Sequence, residues 1–523
     1  MSAQPVLIAG QWRAAQAAGT FQAENPATQQ MLPAEFPISS WADCDAALAA
    51  ATTAAAQLLA QPAAVRADFL ERYAQAIEGR AAELVATAHE ETALPKAPRL
   101  ADVELPRTIG QLRQAAAAAR EGSWAQPTID SKANIRSVFE PIGPVWVFGP
   151  NNFPFAFNGI SGGDFAAAIA AGNPVIAKAH SGHPNTSKIF AELAHEAAGA
   201  AGLPAGSVQM IYRLGHKDGE RAVADPRTAA TGYTGSRSAG LQLKTAAEAG
   251  GKLFYGELSS INPVVILPGA LRERGAALVG EFATSSLMGC GQFCTNPGLI
   301  VMLAGAETEQ FIAEVAGRFK AAPVGTLLSR AVAKSLAESC QTLTQAGAKV
   351  LAGGTPGGGA GHSFANTLLR VSAAEFCAQP HALQTEAFGN VALLVVADDL
   401  VQAGKVLDQL EGNLTGCVYS DTRGSDDDAY RAIVPRLRSR VGRLLNDKMP
   451  TGVAVSLAMN HGGPYPATTH PGFTAVGIPA SLRRFAMLAC YDNVRPERLP
   501  ASLHDTSPDA NLWRCIDGTW RRG

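Results

Sequence analysis

Cys294 lies in the segment GQFCTNPG, residues 291–298, which consists mainly of small and polar residues. A helical pattern precedes this segment and the apolar run LIVML follows it, so the sequence predicts a loop between a helix and a strand. Gly291 and Gly298 permit tight turns, and a small molecule can reach a sulfur in such a loop. A free cysteine is partly ionised near neutral pH, and the thiolate is a strong nucleophile. Cys294 is therefore a candidate nucleophile, and the alternative is a small buried thiol that only fills space.

A cysteine that attacks a carbonyl group also requires an oxyanion donor and a base. Asn152 lies in PNNFP, directly after the strand-like run PVWVFG, and its side-chain amide can donate to a developing alkoxide. Glu257 lies in the strand-like run KLFYGEL, and its carboxylate can deprotonate a water. The alternatives are ordinary turn chemistry for Asn152 and a solvated or ion-paired surface carboxylate for Glu257.

Two further polar residues follow strand-like runs in the same part of the chain. Lys178 ends the run PVIAK, where its ammonium group can hold ribose hydroxyls. Ser236 follows TAATGYTG and begins a helical pattern, and a helix N-terminus favours a phosphate. A surface lysine and a simple helix cap are the alternatives. The chain lacks GxGxxG after its first strand, so the standard dinucleotide fingerprint is not present.

The elements that must position these residues have an α/β pattern. Short apolar strands alternate with helices, which predicts a doubly wound parallel sheet that binds ligands at the carboxyl ends of its strands. A second strand–helix series follows, and it predicts an α/β catalytic domain around the thiol. Polar alternating stretches predict a small β element for oligomerisation. The predicted domains are a dinucleotide-binding domain (1–123 and 142–261), a catalytic domain (262–476) and the β element (124–141 and 477–500).

Composition excludes several classes of protein. The 523 residues contain 43 Lys and Arg against 45 Asp and Glu, and no basic run indicates a nucleic-acid partner. We expect no secretory signal, because the start MSAQPVLIAGQWRAA lacks a charged region followed by an apolar core. We expect no membrane span, because no segment of about 18 residues is apolar without polar interruption. The eight cysteines form no CxxC pair, which favours a reducing cytoplasmic setting over a disulfide framework. Cys290 and Cys294 have no histidine near them in sequence, so no metal site is predicted.

Several motifs together resemble one family. These are PNNFPFAF, AAGNPVIAKAHSGHPNTS, YTGS, GELSSINP, GQFCTNPG and TEAFGN, and they occur in the order typical of the aldehyde dehydrogenase superfamily. The resemblance covers nearly the whole chain. ELSSINP, the KAH after the strand and the late GGPYPATT look most like the bacterial 2-oxoglutarate semialdehyde dehydrogenases and the related NADP-linked fatty aldehyde dehydrogenase.

The resemblance implies a covalent oxidation of an aldehyde to a carboxylic acid. Cys294 would attack the aldehyde carbon, and Asn152 with the Cys294 backbone N–H would form the oxyanion hole. The tetrahedral thiohemiacetal can expel hydride to a nicotinamide, which the free aldehyde cannot do. Glu257 would then activate the water that hydrolyses the thioester.

The resemblance also implies a set of contacts to NADP or NAD. Lys178 would hold the adenine-side ribose, and Ser236 would hold the pyrophosphate. Glu386 in TEAFGN would hold the nicotinamide ribose, and Phe388 would border the nicotinamide ring.

The chain departs from the family pattern in two places that concern the cofactor. His180 stands where NAD-preferring relatives often carry a glutamate, and Arg213 follows the strand-like SVQMIY. A carboxylate would repel a 2′-phosphate, so we predict that NADP is accepted, and the sequence leaves open whether it is preferred over NAD. ELSS, residues 257–260, places two serines where glycines usually let the cofactor approach closely.

The sequence leaves the substrate open. A semialdehyde with a distal carboxylate needs a cation, and the helical segment RTIGQLR offers Arg107 or Arg113, with surface arginines as the alternative. A fatty aldehyde needs an apolar tunnel instead, for which the candidate lining residues are Phe155, Phe157 and Phe293. A CoA-acylating relative and a non-catalytic dehydrogenase-like binding protein are also compatible with the sequence. By resemblance we expect a homo-oligomer, either a dimer or a tetramer.

Overall fold

The structure is a computed structural model that describes residues 3–523. Its strands, in chain order, are β1 (Val6–Ile8), β2 (Gln11–Arg13), β3 (Ala17–Asn25), β4 (Gln30–Ser39), β5 (Thr128–Asp130), β6 (Ile135–Pro141), β7 (Val145–Phe148), β8 (Val175–Lys178), β9 (Val208–Ile211), β10 (Arg213–Leu214), β11 (Ala230–Thr234), β12 (Leu253–Glu257), β13 (Val264–Ile266), β14 (Leu299–Leu303), β15 (Lys349–Ala352), β16 (Thr367–Ser372), β17 (Val391–Ala397), β18 (Asn413–Tyr419), β19 (Val441–Asn446), β20 (Ala486–Asp492), β21 (Trp513–Ile516) and β22 (Thr519–Arg522).

The helices connect and cover these strands. In chain order they are α1 (Trp41–Ala60), α2 (Ala63–Gly79), α3 (Ala81–Thr92), α4 (Leu105–Glu121), α5 (Gly163–Ala171), α6 (Pro184–Ala201), α7 (His216–Ala224), α8 (Arg237–Ala249), α9 (Pro268–Leu287), α10 (Ala306–Ala321), α11 (Arg330–Gln345), α12 (Ala373–Ala378), α13 (Pro380–Leu383), α14 (Leu400–Asp408), α15 (Asp427–Arg438) and α16 (Ala480–Arg483). A π-helical segment, Lys96–Glu104, leads into α4, and short 3₁₀ turns lie at Ser123–Ala125, Met288–Gly291, Pro496–Arg498 and Ala501–Leu503.

The first large sheet has the strand order β12-β11-β7-β8-β9-β1-β2. The five strands from β12 to β9 are parallel, and β1 is antiparallel to β9. All residues of β7 and β9 are buried, because helices cover both faces of the sheet. Parallel strands place their carboxyl ends along a single edge, and this edge is where the candidate site residues of this half are expected.

The second large sheet has the order β15-β16-β17-β14-β13-β18-β19 and is parallel except for β15. Its central strands β17 and β18 are fully buried. The predicted α/β fold with parallel sheets is therefore confirmed. Four strands in this half match the apolar runs NPVVIL, GLIVMLAG, AKVLAG and VALLVVA of the sequence, namely β13, β14, β15 and β17.

A smaller sheet has the order β20-β6-β5-β21-β22. Strand β20 pairs antiparallel with β6 over its whole length, and its other side is an open edge. Strands β21 and β22 extend this sheet beyond residue 500, where the range predicted for the β element ends.

Strands β3 and β4 form the third sheet with β10, and the sequence pattern does not predict them. Among residues 3–523, no single helix is long and apolar enough to cross a membrane; α1 and α2 reach that length and composition only as a pair bent by 116°.

Candidate active site

The carboxyl ends of the parallel strands carry several of the predicted residues. Glu257 is the last residue of β12, and Lys178 is the last residue of β8. Asn152 follows β7 and Ser236 follows β11, so both side chains start from the same edge of the sheet. All four residues therefore lie at the carboxyl edge of one sheet, where the sequence predicts a ligand site.

The thiol-bearing loop is held by backbone packing and by one amide. Gly291 has φ +66°, and a Cβ there would lie 2.0 Å from the Gly389 carbonyl oxygen, so only glycine fits. The side-chain amide of Asn262 donates to the carbonyl oxygens of Cys294 at 2.9 Å and Asn296 at 2.8 Å. These contacts fix the backbone around the half-buried Cys294.

Three different reactive groups meet at this loop. His461 Nε2 lies 3.4 Å from Cys294 Sγ and 3.3 Å from Glu257 Oε2. One ligand-type atom from each residue falls within 4.8 Å of the other two. The side chains of His461 and Glu257 are 2% and 1% exposed, and the Phe157 ring packs against the imidazole. A thiol, an imidazole and a carboxylate thus share a pocket with little water.

The electrostatics of this pocket keep the thiol protonated. Burial raises the pKa of Cys294 well above its usual range, and the neighbouring charge of Glu257 raises it further. The Arg107 charge acts in the opposite direction, and the charge of Glu386 adds to the increase. A nearby base must therefore accept the proton before the sulfur can attack, and the imidazole of His461 is in position to do so.

Asn152 lies next to the thiol-bearing loop, as an oxyanion donor requires. Its Nδ2 donates to the carbonyl oxygen of Gln292 at 3.0 Å, and a second amide hydrogen remains for an oxyanion. The Asn152 carbonyl accepts from Arg99 Nη2 at 2.9 Å. Glu104 pairs with Arg99 and accepts from the Phe155 backbone N–H at 2.8 Å, so this buried ion pair anchors both ends of the segment.

The residues predicted to contact the adenine side of a cofactor also lie together. Burial and, to a smaller extent, the neighbouring Arg213 charge lower the pKa of Lys178 to about 8. Burial, then His183 and Lys178, lower the pKa of His180 well below its usual range. The His180 ring stacks on His183 with centroids 5.2 Å apart, and Arg213 is exposed. This corner therefore offers two cations and a neutral imidazole.

Ser236 stands at the N-terminus of α8, with an extended backbone and no side-chain cap bond to the helix. Its carbonyl oxygen accepts from the Tyr233 hydroxyl at 3.0 Å. The first N–H groups of α8 are thus left for an anion, as the phosphate prediction requires.

Glu386, Phe388 and Ser260 line one cavity beside the thiol-bearing loop. Burial raises the pKa of Glu386 to about 8. The Ser260 hydroxyl donates to Asn262 Oδ1 at 2.8 Å and accepts from the Leu414 N–H at 2.9 Å. The second serine of ELSS is therefore turned into the protein, so it does not crowd the approach of a cofactor.

The two candidate arginines of α4 differ sharply. Arg107 donates through Nη1 to the Val453 carbonyl at 3.1 Å, while its Nε and Nη2 atoms are buried without a hydrogen-bond partner among residues 3–523. Burial lowers the pKa of Arg107, and the Cys294 charge acts in the opposite direction. The Arg107 guanidinium lies 5.2 Å from the Phe157 ring, which packs against His461. Arg113 is exposed and pairs with Glu78 at 2.8 Å, so the prediction that it could serve this site is wrong.

His461 and Arg99 are the site residues that sequence reasoning missed. His461 is 167 residues from Cys294 and lies in an irregular segment, so no periodicity or strand end marked it. The one available sign was the motif GGPYPATT, which begins at the next residue.

The matched family model is that of the aldehyde dehydrogenase family, and it covers residues 12–462. The chain belongs to this family. Alpha-ketoglutaric semialdehyde dehydrogenase 2 of Azospirillum brasilense is 37% identical over 98% of this chain and 98% of its own length. Alpha-ketoglutaric semialdehyde dehydrogenase of Acinetobacter baylyi is 35% identical over 87% of this chain and 86% of its own length.

Solved structures share the fold. PnpE, in a crystal structure in complex with nicotinamide adenine dinucleotide, is 21% identical with a TM-score of 0.80 and covers 95% of this chain and 99% of its own. This comparison agrees with the α/β architecture and its two parallel sheets.

Proposed function

We propose that the protein oxidises 2-oxoglutarate semialdehyde to 2-oxoglutarate, with NADP or NAD as the hydride acceptor. The two relatives above carry the name of that semialdehyde, which is 2-oxoglutarate with its distal carboxylate reduced to an aldehyde. The overall reaction consumes the aldehyde, oxidised cofactor and water, and yields the acid, reduced cofactor and a proton.

The chain's own residues divide the chemistry as follows. His461 takes the proton of Cys294, and the thiolate sulfur bonds to the aldehyde carbon. Asn152 and the Cys294 backbone N–H stabilise the resulting oxyanion. Glu257 later removes a proton from the water that hydrolyses the thioester, because it is the buried carboxylate nearest the sulfur. The presence of this base supports water rather than CoA as the acyl acceptor.

A nicotinamide cofactor supplies the hydride acceptor, and the residues present fit it. Ser236 and the N-terminus of α8 would hold its pyrophosphate, and the half-buried Glu386 would hold the nicotinamide ribose beside Phe388. Lys178 would hold the other ribose. With His180 and Arg213 next to it, we propose that a 2′-phosphate is favoured and that NADP is preferred.

The environment of Arg107 is the single observation that favours the semialdehyde as the substrate. Its Nε–H and one Nη–H group are buried and have no partner in the described part of the chain, and leaving such donors unpaired costs free energy. Together they have the fork geometry that binds a carboxylate with two hydrogen bonds. The carboxylate that remains in the semialdehyde, at the end opposite the aldehyde, would satisfy both groups while the aldehyde reaches Cys294.

The fatty aldehyde alternative has less support. Phe153 packs edge-on against Phe157 and Phe293, with centroids 5.3 and 5.5 Å apart, as an apolar tunnel would require. However, the guanidinium groups of Arg99 and Arg107 lie over these rings, at 4.3 Å from Phe153 and 5.2 Å from Phe157. A tunnel lined with cations is suited to an anionic substrate.

One of the predicted tunnel residues lies elsewhere. Phe155 packs against Phe190 within the core, so it is not part of any such tunnel.

The test compares 2-oxoglutarate semialdehyde with pentanal, a neutral aldehyde of the same carbon number, in Arg107→Met. We expect kcat/KM for the semialdehyde to fall by about 100-fold, because a charged hydrogen-bonded pair is lost. Pentanal turnover should change little. Arg113→Met is the matched control on the same helix, and both substrates should be unaffected. An unchanged kcat/KM for the semialdehyde in Arg107→Met would reject this assignment.

The wider organisation of the molecule is also proposed. The first large sheet, from residues 1–123 and 142–261, would form the dinucleotide-binding domain, and residues 262–476 the catalytic domain. The small sheet would join subunits into a homo-oligomer, since its β20 edge is open. A cytoplasmic location is supported by cysteines that are all free.

A further inference from the structure

The three side chains at the thiol also have the composition of a metal site. Cys294, His461 and Glu257 offer one sulfur, one nitrogen and one oxygen donor within 4.8 Å of each other. Thiolate, imidazole and carboxylate are the ligands that Zn²⁺ prefers. The sequence predicted no metal site, because its histidine lies 167 residues from the cysteine.

The spacing of the donor atoms matches tetrahedral coordination. With Zn–S of about 2.3 Å and Zn–N and Zn–O of about 2.1 Å, tetrahedral angles place sulfur and nitrogen about 3.6 Å apart and nitrogen and oxygen about 3.4 Å apart. The observed separations are 3.4 Å and 3.3 Å. The sulfur and the carboxylate oxygen lie within 4.8 Å of each other, so a movement of the Glu257 side chain would bring all three donors onto one ion, and a water would complete four-coordination.

The Glu257 carboxylate is available to bind such an ion. Both oxygens of Glu257 are buried and make no hydrogen bond among residues 3–523, and the imidazole of His461 lies in ion-pair range of one of them. A buried carboxylate without donors is costly, and a bound cation relieves that cost.

The surrounding charges set the strength of binding. Arg107 and Arg443 both act electrostatically on Cys294, and their positive charges oppose a second cation. The half-buried Glu386 opposes the arginines, although its pKa of about 8 leaves it largely neutral near pH 7. The site is therefore suited to reversible binding rather than to a permanent structural ion.

We propose that a thiophilic divalent cation, best matched by Zn²⁺, binds Cys294 Sγ, His461 Nε2 and a Glu257 oxygen and reversibly blocks the enzyme. The S–H bond of Cys294 breaks, an S–Zn bond forms, and the proton leaves to solvent. The Cys294 sulfur donates to the metal the lone pair that would otherwise attack the aldehyde carbon. Metal and aldehyde therefore compete for the same sulfur, and inhibition is competitive with aldehyde. Metal binding itself does not depend on the proposed substrate, whereas the inhibition depends on the proposed role of Cys294.

The direct test uses Co²⁺ as a spectroscopic probe with the full-length protein. We expect one Co²⁺ per subunit, with a thiolate charge-transfer band and the visible bands of tetrahedral coordination, and displacement of both by Zn²⁺. Cys294→Ala and His461→Gln should each lose the charge-transfer band. Cys490→Ser and His381→Gln remove an exposed thiol and an exposed imidazole, and both should retain it.

A third variant, Glu257→Gln, keeps the proposal testable if His461→Gln, which changes a buried histidine, does not fold. Glu257→Gln preserves the shape of the side chain. Losing even an outer partner of a metal ligand lowers metal affinity by about 10-fold or more, so losing the Glu257 ligand itself should weaken Co²⁺ affinity by at least about 10-fold. Unchanged affinity in Glu257→Gln, a charge-transfer band that persists in Cys294→Ala or His461→Gln, or no band in the parent protein would each overturn the proposal.

Turnover provides the second readout. Zn²⁺ should raise the apparent KM for aldehyde in the parent protein, and EDTA should restore activity fully, which excludes thiol oxidation. If Co²⁺ and Zn²⁺ bind as expected but no aldehyde is turned over, the proposed function fails and the metal site stands. If turnover is normal and no metal binds at Cys294, the metal site fails alone.

Discussion

At the residue scale, the site combines a thiol that stays protonated with an adjacent base. Burial and the Glu257 charge hold the Cys294 thiol in its protonated form, which protects it from oxidation and alkylation before substrate arrives. His461 Nε2 contacts both the sulfur and the carboxylate, so one imidazole can accept the proton and be stabilised by Glu257. Reactivity is thus set by three side chains acting together.

Glu257→Gln should increase the reactivity of the Cys294 thiol while stopping thioester hydrolysis. The carboxylate raises the pKa of Cys294, so removing its charge lowers that pKa and shifts the pH midpoint of alkylation downward. The measurement is the rate of iodoacetamide alkylation of Cys294 against pH, with Cys294→Ala as the background. A midpoint that moves to higher pH would show that Glu257 activates the thiol instead.

Arg213→Ala should weaken NADP selectively. Loss of one charged contact to a 2′-phosphate is expected to raise KM for NADP by about 10-fold or more, with KM for NAD nearly unchanged. Lys217→Ala removes an exposed cation four residues further on and serves as the control. Equal KM changes for the two cofactors, or a strong NAD preference in the parent protein, would contradict the assignment.

At the element scale, one buried ion pair holds the segment after β7 in place. Arg99 and Glu104 are nearly excluded from solvent, and between them they bind the Asn152 carbonyl and the Phe155 N–H. The segment itself has no regular structure, so these side chains replace the hydrogen bonds that a helix or strand would supply. The position of the oxyanion donor therefore depends on a pair that touches no substrate.

Glu104→Gln should destabilise the protein by about 3 kcal/mol and reduce kcat, because it leaves the buried Arg99 without its counter-charge. The exposed pair of Glu309 with Arg370 gives the matched comparison, and Glu309→Gln should cost less than about 1 kcal/mol. Thermal unfolding midpoints and kcat are measured for both. Equal shifts in the two variants would show that the Arg99–Glu104 pair has no special role.

The elements that the sequence predicted well are those buried on both faces. β7, β8 and β17 are nearly continuous apolar runs, and a residue at a strand end such as Lys178, the last residue of β8, follows from them. β3 was not predicted because most of its side chains are exposed, and β4 was not predicted because Pro33 and Pro37 interrupt its pattern. His461 was not predicted as a site residue because it lies in an irregular segment that only tertiary folding brings to the thiol.

At the scale of the whole molecule, the small sheet has an exposed apolar edge. Met487 and Leu488 on β20 are 63% and 55% exposed, on the strand whose outer side is unpaired. A flat apolar edge strand is normally covered in a stable protein, most simply by a symmetric copy of the same chain. The open edge of β20 is therefore the interface expected for the proposed homo-oligomer.

Lysine at both Met487 and Leu488 should convert the oligomer to a smaller species. Two charges on the edge strand oppose burial against a second subunit, whereas the fold of the monomer loses little because both side chains are already exposed. Light scattering coupled to size-exclusion chromatography gives the mass, and Val401→Lys, at another exposed apolar position on α14, is the control. A parent protein that elutes as a monomer would refute the oligomer, and an unchanged oligomer in the double variant would place the interface elsewhere.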